Sequence, residues 1–227
     1  MVDRRTFLKV GGLGGAAVAV GGPAAAFAGK SGEGNPAYEA RDFGRLLGTE
    51  GFSETLLKNH LTLYQGYVTN VNKILETLGR MAADGKLSSA EAAELRRRLG
   101  WEWNGMRLHE LYFENLGGKE GLDPGGPLAR RMLRDFGGFE AWQKEFRAVG
   151  AMRGIGWAAL YQDPASGRLL NLWIGEHDVG HPAGGAPVLI LDVFEHAYMI
   201  DFGLKKADYI EAFFKAVDWT AAATRLR

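Results

Sequence analysis

The sequence predicts an α+β fold: an N-terminal antiparallel helical hairpin followed by a C-terminal α/β domain with a small antiparallel sheet of about three strands. Three observations carry this. Apolar residues recur at three- and four-residue spacing from Leu56 to Leu116, with one break at Asp84-Gly85-Lys86. After the turn Leu122-Asp123-Pro124-Gly125-Gly126-Pro127 and two helical stretches, the period changes to short apolar runs bounded by turns. Helical patterns then close the chain, so a short sheet is backed by helices.

Composition narrows the chemistry. The chain has 227 residues, enough to bury a core, and is 46% apolar and 24% charged. With 27 basic and 27 acidic residues it shows no basic excess of the kind that binds nucleic acid. There are no cysteines, which excludes disulfides, thiolate catalysis and thiolate-held zinc or iron–sulfur centres. A metal would have to be held by nitrogen and oxygen, and only five histidines are available: His60, His109, His177, His181 and His196.

The N-terminus reads as an address. Asp3-Arg4-Arg5-Thr6-Phe7-Leu8-Lys9, a weakly apolar run from Val10 to Gly22 and the small residues Ala24 to Ala28 form charged, apolar and cleavage regions. The paired arginines resemble a twin-arginine export signal, so residues 1–28 are assigned as a signal peptide cleaved after Ala28 and the product as periplasmic or extracellular. The apolar run is shorter than the about 20 residues that a stable membrane span needs. Residues 29–48 are Gly-rich and read as a linker and extended arm.

Residues 49–121 form the predicted hairpin. Ser53 caps a helix along which Leu56, Leu57, His60, Leu63, Tyr64, Tyr67, Val68, Val71, Ile74, Leu75 and Leu78 recur. Gly66 interrupts it and suggests close packing beside a site. A second helix begins at Ser88 or Ser89, with Ser88 and Glu91 in capping-box spacing, and runs to Leu116 before Gly117-Gly118. Antiparallel pairing brings His60, early in the first helix, to His109, late in the second. Residues 122–227 form the second domain: helices at 128–136 and 139–151, strands at 156–162, 169–174 and 187–192, and helices at 206–217 and 219–226.

The third strand leads into Asp192-Val193-Phe194-Glu195-His196-Ala197-Tyr198, where an acid and a histidine stand four residues apart, as on one helical turn. Acid, imidazole and an aromatic surround suit a tuned redox metal. This segment resembles the signature of the iron/manganese superoxide dismutases, with Phe194 where that family has tryptophan. Phe136-Gly137-Gly138-Phe139, Gly154-Ile155-Gly156-Trp157 and Ala207-Asp208-Tyr209-Ile210 also resemble family blocks, as do Tyr67-Val68-Thr69-Asn70 and His109-Glu110-Leu111-Tyr112-Phe113. The resemblance covers roughly residues 42 to 225.

The resemblance implies disproportionation of superoxide to dioxygen and hydrogen peroxide at one iron or manganese ion per subunit. It implies His60, His109, Asp192 and His196 as ligands and Tyr67 as the gateway tyrosine. It implies Trp157, Phe113, Phe194 and Tyr198 around the site, and Glu195 bridging a homodimer through the metal-site face. Three departures stand out. The family's first ligand lies eight residues before the tyrosine, where this chain has Asn59; His60 lies seven before. Gly105 does not supply the family's outer-sphere glutamine, an arrangement that leans towards manganese, and His177 takes the glutamine's other position. Leu63 and Met199 replace a polar pair at the subunit contact. A non-catalytic metal-binding or scaffold protein of the same fold is the alternative these departures keep open. A di-metal helical bundle would require paired Glu-x-x-His motifs, which the chain lacks.

Overall fold

The helical hairpin forms because its two halves each bury one apolar stripe. The computed structural model describes residues 36–227; the proposed signal peptide, its cleavage site and the start of the arm lie outside them. Helix α1 (Glu54–Ala83) begins at Ser53, whose hydroxyl accepts the Leu56 amide hydrogen bond, a cap that contributes about 1 kcal/mol. It buries Leu56, Leu57, His60, Tyr64, Val68, Val71 and Ile74, which keep to one side at three- and four-residue steps. Helix α2 (Ala90–Glu114) packs antiparallel against it and buries Met106, Leu108, His109, Tyr112 and Phe113.

Several local expectations change. Ser89, not Ser88, caps α2, its side chain accepting from the Ala92 amide, so the Ser88–Glu91 pair is not the capping box. The helix ends at Glu114, and Leu116 instead bridges to Val217. Gly66 is exposed, and a Cβ there would meet nothing within 4 Å, so it does not mark close packing. Among its described residues, the stretch read as an arm carries one 3₁₀ turn, Gly44–Leu46, and buries Phe43 and Leu46. Their apolar side chains gain more from the core than an extended strap would allow.

Helices α3 (Pro127–Phe136) and α4 (Phe139–Gly150) follow. Strands β1 (Gly156–Gln162), β2 (Leu169–Gly175) and β3 (Ala186–Asp192) form an antiparallel sheet in the order β2-β1-β3. Central β1 is buried along its whole length. Helix α4 packs on β1 and β2, while α2 packs on β3. The chain enters β1 through Gly156, at φ +148°, where a Cβ would fall 2.0 Å from the Ile174 carbonyl oxygen; only glycine fits. Short helix α5 (Met199–Phe202), then α6 (Lys206–Ala216) and α7 (Trp219–Thr224) complete the chain. The segment Ala37–Arg227 forms one contact unit.

Two features of this frame aim side chains at one point. The register pairs Trp157 with Asp192 across β1 and β3. β3 ends at Asp192, and a 3₁₀ turn at Glu195–Ala197 carries His196. Asp192 and His196 therefore do not share one helical turn, as their spacing suggested. A strand end and the following tight turn bring them together.

Candidate metal centre

Asp192 is the hub. Its Oδ2 lies 3.2 Å from His60 Nε2, 3.2 Å from His196 Nε2 and 3.6 Å from His109 Nε2. The donor atoms of His60, His109, Asp192 and His196 all lie within 4.8 Å of one another. His60, His109 and Asp192 have no exposed surface, and the His196 side chain is 24% exposed. Four elements contribute: α1, α2, the end of β3 and the 3₁₀ turn.

The seven-residue spacing of His60 and Tyr67 is explained by α1, which runs from Glu54 to Ala83 as one α-helix. Seven residues at about 100° each return within about 20° of the starting direction, whereas eight overshoot by about 80°. His60 is buried in the cluster and Asn59 is exposed.

Orientation of the ligating atoms comes from a surrounding set of hydrogen bonds. His109 Nδ1 donates to the Gly105 carbonyl at 2.6 Å, which leaves its Nε2 as a lone pair. That buried Nε2 has no hydrogen-bond partner. A lone pair and a carboxylate oxygen thus face each other away from water. This is costly unless a cation joins them, and the set of three imidazoles and one carboxylate fits a hard-to-intermediate metal ion such as iron or manganese. Asp192 Oδ1 accepts the Phe194 amide at 2.8 Å, and the Asp192 carbonyl accepts Tyr209 Oη at 2.7 Å. Tyr112 and Tyr209 hydroxyls are 3.1 Å apart.

Electrostatics follow the geometry. Burial alone would raise the Asp192 carboxyl, but the facing His196 and His60 outweigh it and hold Asp192 well below the usual carboxylate range. Burial pushes His60 and His109 down. His196 is raised, because the Asp192 charge overcomes the opposing effect of its burial. Tyr67 is pushed up by burial first and by Asp192 second.

His177 is fully buried rather than facing solvent. Its Nε2 lies 2.8 Å from Tyr67 Oη, and its Nδ1 accepts from Trp157 Nε1 at 3.1 Å. Burial lowers it to about 4. Both ring nitrogens are thus engaged by side chains. His181 is exposed, and its Nε2 lies 2.8 Å from the His177 carbonyl. Gly105 makes room for Tyr67: a Cβ at 105 would sit 2.6 Å from Tyr67 Cδ1.

The aromatic surround is present. Phe113 packs edge-on to His60 at 4.9 Å between centroids and Trp157 edge-on to His109 at 5.0 Å. Phe194 stacks on both His177 and His196. Tyr198 is buried one step further out, stacked on Tyr209, and Glu195 is exposed beside His196. Sequence reasoning missed Trp101, whose ring lies 4.5 Å from that of His177 and 5.7 Å from that of Tyr67. The four-residue spacing Trp101, Gly105, His109 on one helix side could have revealed it. The Tyr112–Tyr209 pair had no local signal, since it joins residues 97 apart.

Residues 124–225 match the model for the iron/manganese superoxide dismutases, C-terminal domain. The chain is 39% identical over 172 residues to a manganese superoxide dismutase of Haloferax volcanii, covering 76% of this chain and 85% of that protein. The chain belongs to the iron/manganese superoxide dismutase family. It is also 41% identical over 180 residues to an iron superoxide dismutase of Cupriavidus metallidurans, covering 77% of this chain and 88% of the relative. An iron superoxide dismutase of Saccharolobus solfataricus is 36% identical over 168 residues, covering 72% and 80%. Residues 1–21 match the twin-arginine translocation pathway signal sequence, so this superoxide dismutase family member carries a twin-arginine export signal. Among the described residues no helix is long and apolar enough to cross a membrane.

Proposed function

We propose that this protein disproportionates superoxide at a single iron or manganese ion held by His60, His109, Asp192 and His196. The observation that carries the reading is the convergence of three imidazole Nε2 atoms on Asp192 Oδ2, one of them buried without a partner. When bound, the ion supplies a one-electron couple, by which one superoxide is oxidised to dioxygen and a second, with two protons, is reduced to hydrogen peroxide.

The protein's part is positioning and exclusion. Asp192 lends the donor set one negative charge and is itself held by the Phe194 amide and the Tyr209 hydroxyl. Such surrounding bonds fix ligand direction and commonly change metal affinity or activity 10–100-fold. Phe113, Trp157 and Phe194 keep the ligands dry. Tyr67 is half-buried against Gly105, with its hydroxyl 2.8 Å from His177 Nε2.

The unit is proposed to be a homodimer joined through the metal-site face. Glu195 is exposed next to His196, free to reach a partner's site, and Leu63 and Met199 are exposed apolar side chains at 44% and 43%. Export places the protein outside the cytoplasmic membrane, in the periplasm or beyond. Donor types suit both metals, and relatives named for each are similar to this chain.

The test is to load metal-free protein with increasing iron or manganese and follow superoxide decay against bound metal. Activity should rise linearly to one ion per chain. A fully loaded protein that leaves superoxide decay at its spontaneous rate would establish a non-catalytic scaffold instead.

A further inference from the structure

The hydroxyl of Tyr64 joins three separate stretches of chain. Tyr64 is buried on α1, one turn after His60. Its oxygen accepts the Arg41 amide from the arm at 2.9 Å. A carboxylate only accepts, so the phenol proton goes to Glu110 Oε1 on α2, 3.0 Å away. Glu110 is the residue after His109. The bond therefore ties together the two helix segments that carry His60 and His109.

Glu110 is a carboxylate only 4% exposed inside a helical hairpin. Its other oxygen accepts Arg107 Nη1 at 2.6 Å, so its charge is paired. A buried ion pair adds little net stability, because well-packed apolar residues of similar volume often do as well. What the carboxylate adds is direction: Arg107 holds one oxygen on its own helix, and the other faces α1. The Tyr64 ring acts to the same end. It meets Phe113 edge-on at 5.9 Å between centroids, and Phe113 packs on His60 at 4.9 Å and on His109 at 5.9 Å. From the arm, Phe43 packs on both Tyr64 and Phe113, at 5.8 Å and 5.2 Å. The Asn72 side chain on α1 holds the backbone N–H and carbonyl of the arm residue Tyr38, each at 2.8 Å.

We propose that Tyr64 and Glu110 are positioning residues for the metal centre: their hydrogen bond, clasped by the arm, fixes α1 against α2 so that His60 and His109 keep their metal-binding separation and the ion is retained. Neither side chain hydrogen-bonds a metal-ligating atom. Both act through the helices and through Phe113. The inference rests on the metal site proposed above but not on turnover.

The test follows release of manganese from the loaded full chain into excess chelator at pH 7, well below the melting temperature. The Mn(II) electron paramagnetic resonance pattern, which reports ligand geometry, is recorded alongside. Tyr64→Phe keeps the ring on Phe113 and removes only the hydroxyl. Release should quicken at least about 10-fold, the lower end of what groups supporting metal ligands commonly contribute, with an altered resonance pattern. Glu110→Ala should do the same, and the double variant should be no faster than either alone, since all three lose the same bond. Glu110→Gln, whose amide can hydrogen-bond Tyr64 in either orientation, should release metal close to the wild-type rate. Trp142→Phe, a core change in α4 that removes the indole bond to Asn171, should lower the melting temperature and leave both readouts unchanged. Wild-type release and resonance in Tyr64→Phe overturn the inference, as do additive effects in the double variant or an equal acceleration in Trp142→Phe. If Tyr64→Phe does not fold, Glu110→Ala against Glu110→Gln carries the same comparison, and equal release by those two overturns it. Fast-releasing variants of a wild type inert towards superoxide contradict only the proposed function. An active wild type whose variants keep their metal contradicts only this inference.

Discussion

His60 Nε2 lies 3.2 Å from Asp192 Oδ2, joining the first long helix to the last strand across 132 residues of sequence. Neither group has any exposed surface. Replacing His60 by alanine removes one of four converging donors, and metal affinity should fall by more than about 100-fold, beyond the usual effect of a surrounding residue. Asn59→Ala, at the exposed neighbouring position, should change stability by less than about 0.5 kcal/mol. Metal content after dialysis against a chelator distinguishes the two.

Metal should stabilise the fold strongly, because the ion bridges a carboxylate and imidazoles that otherwise crowd one another without water. Binding only to the folded state contributes about 4 kcal/mol when free metal is 1,000 times Kd. Urea denaturation of the metal-free and loaded forms at pH 7 should differ by at least that much. Equal midpoints would mean the four side chains do not bind metal in the folded state.

Acid should weaken the metal-free protein partly through His177. Its folded value of about 4 lies below the unfolded value of about 6.5. The unfolded chain therefore takes up the proton first as pH falls, and stability is lost between pH 6.5 and 4. The full interval corresponds to about 3 kcal/mol. His60 and His109, also lowered, act in the same direction. His196 is raised, so its contribution is present at low pH and lost as pH rises through its folded value. Asp192, strongly depressed, contributes above about pH 3.9 and is lost only in stronger acid. Stability against pH for wild type and His177→Gln isolates the His177 share: the variant should lose about 3 kcal/mol less over this interval.

Gly105 should be intolerant of even one carbon. A Cβ there would fall 2.6 Å and 2.7 Å from Tyr67 Cδ1 and Cε1. Gly105→Ala gains about 1 kcal/mol of helix propensity, but displacing the ring costs about 1–3 kcal/mol and strains its bond to His177. A net loss of stability with reduced superoxide consumption is expected, measured by thermal melts and activity on the same preparation. Substituting Tyr67 by a smaller residue alongside should restore the stability and not the activity.

Tyr209→Phe removes the hydroxyl that donates to the Asp192 carbonyl and that meets Tyr112. Two buried oxygens lose a partner, at a cost of about 1–3 kcal/mol each. Metal retention should weaken together with stability, whereas Tyr112→Phe, which leaves the Asp192 bond intact, should spare retention.

The sequence and structure agree most closely where local periodicity decides the outcome. The α1 stripe from Leu56 to Ile74 and the apolar run into Asp192 were legible because burial on one face writes a regular pattern. The gathering of His60 and His109 followed from antiparallel pairing alone. What stayed hidden depends on contacts between distant segments. Tyr209 reaches Asp192 from α6, and the Tyr67 ring fills the space that a glycine leaves on α2. The Asp192–His196 spacing fitted a helix turn equally well, and only the strand register ending at Trp157 opposite Asp192 resolves it. The Ser88–Glu91 pair shows the same limit, since two adjacent serines can each cap and tertiary packing chose Ser89.

The most direct test of the whole account is the product balance of superoxide consumed by the metal-loaded protein, measured with oxygen and peroxide electrodes at substrate far in excess of enzyme. Dismutation requires one dioxygen and one hydrogen peroxide for every two superoxide ions, over many turnovers and lost in His60→Ala. Peroxide without dioxygen, or consumption that stops at one superoxide per bound ion, would contradict it.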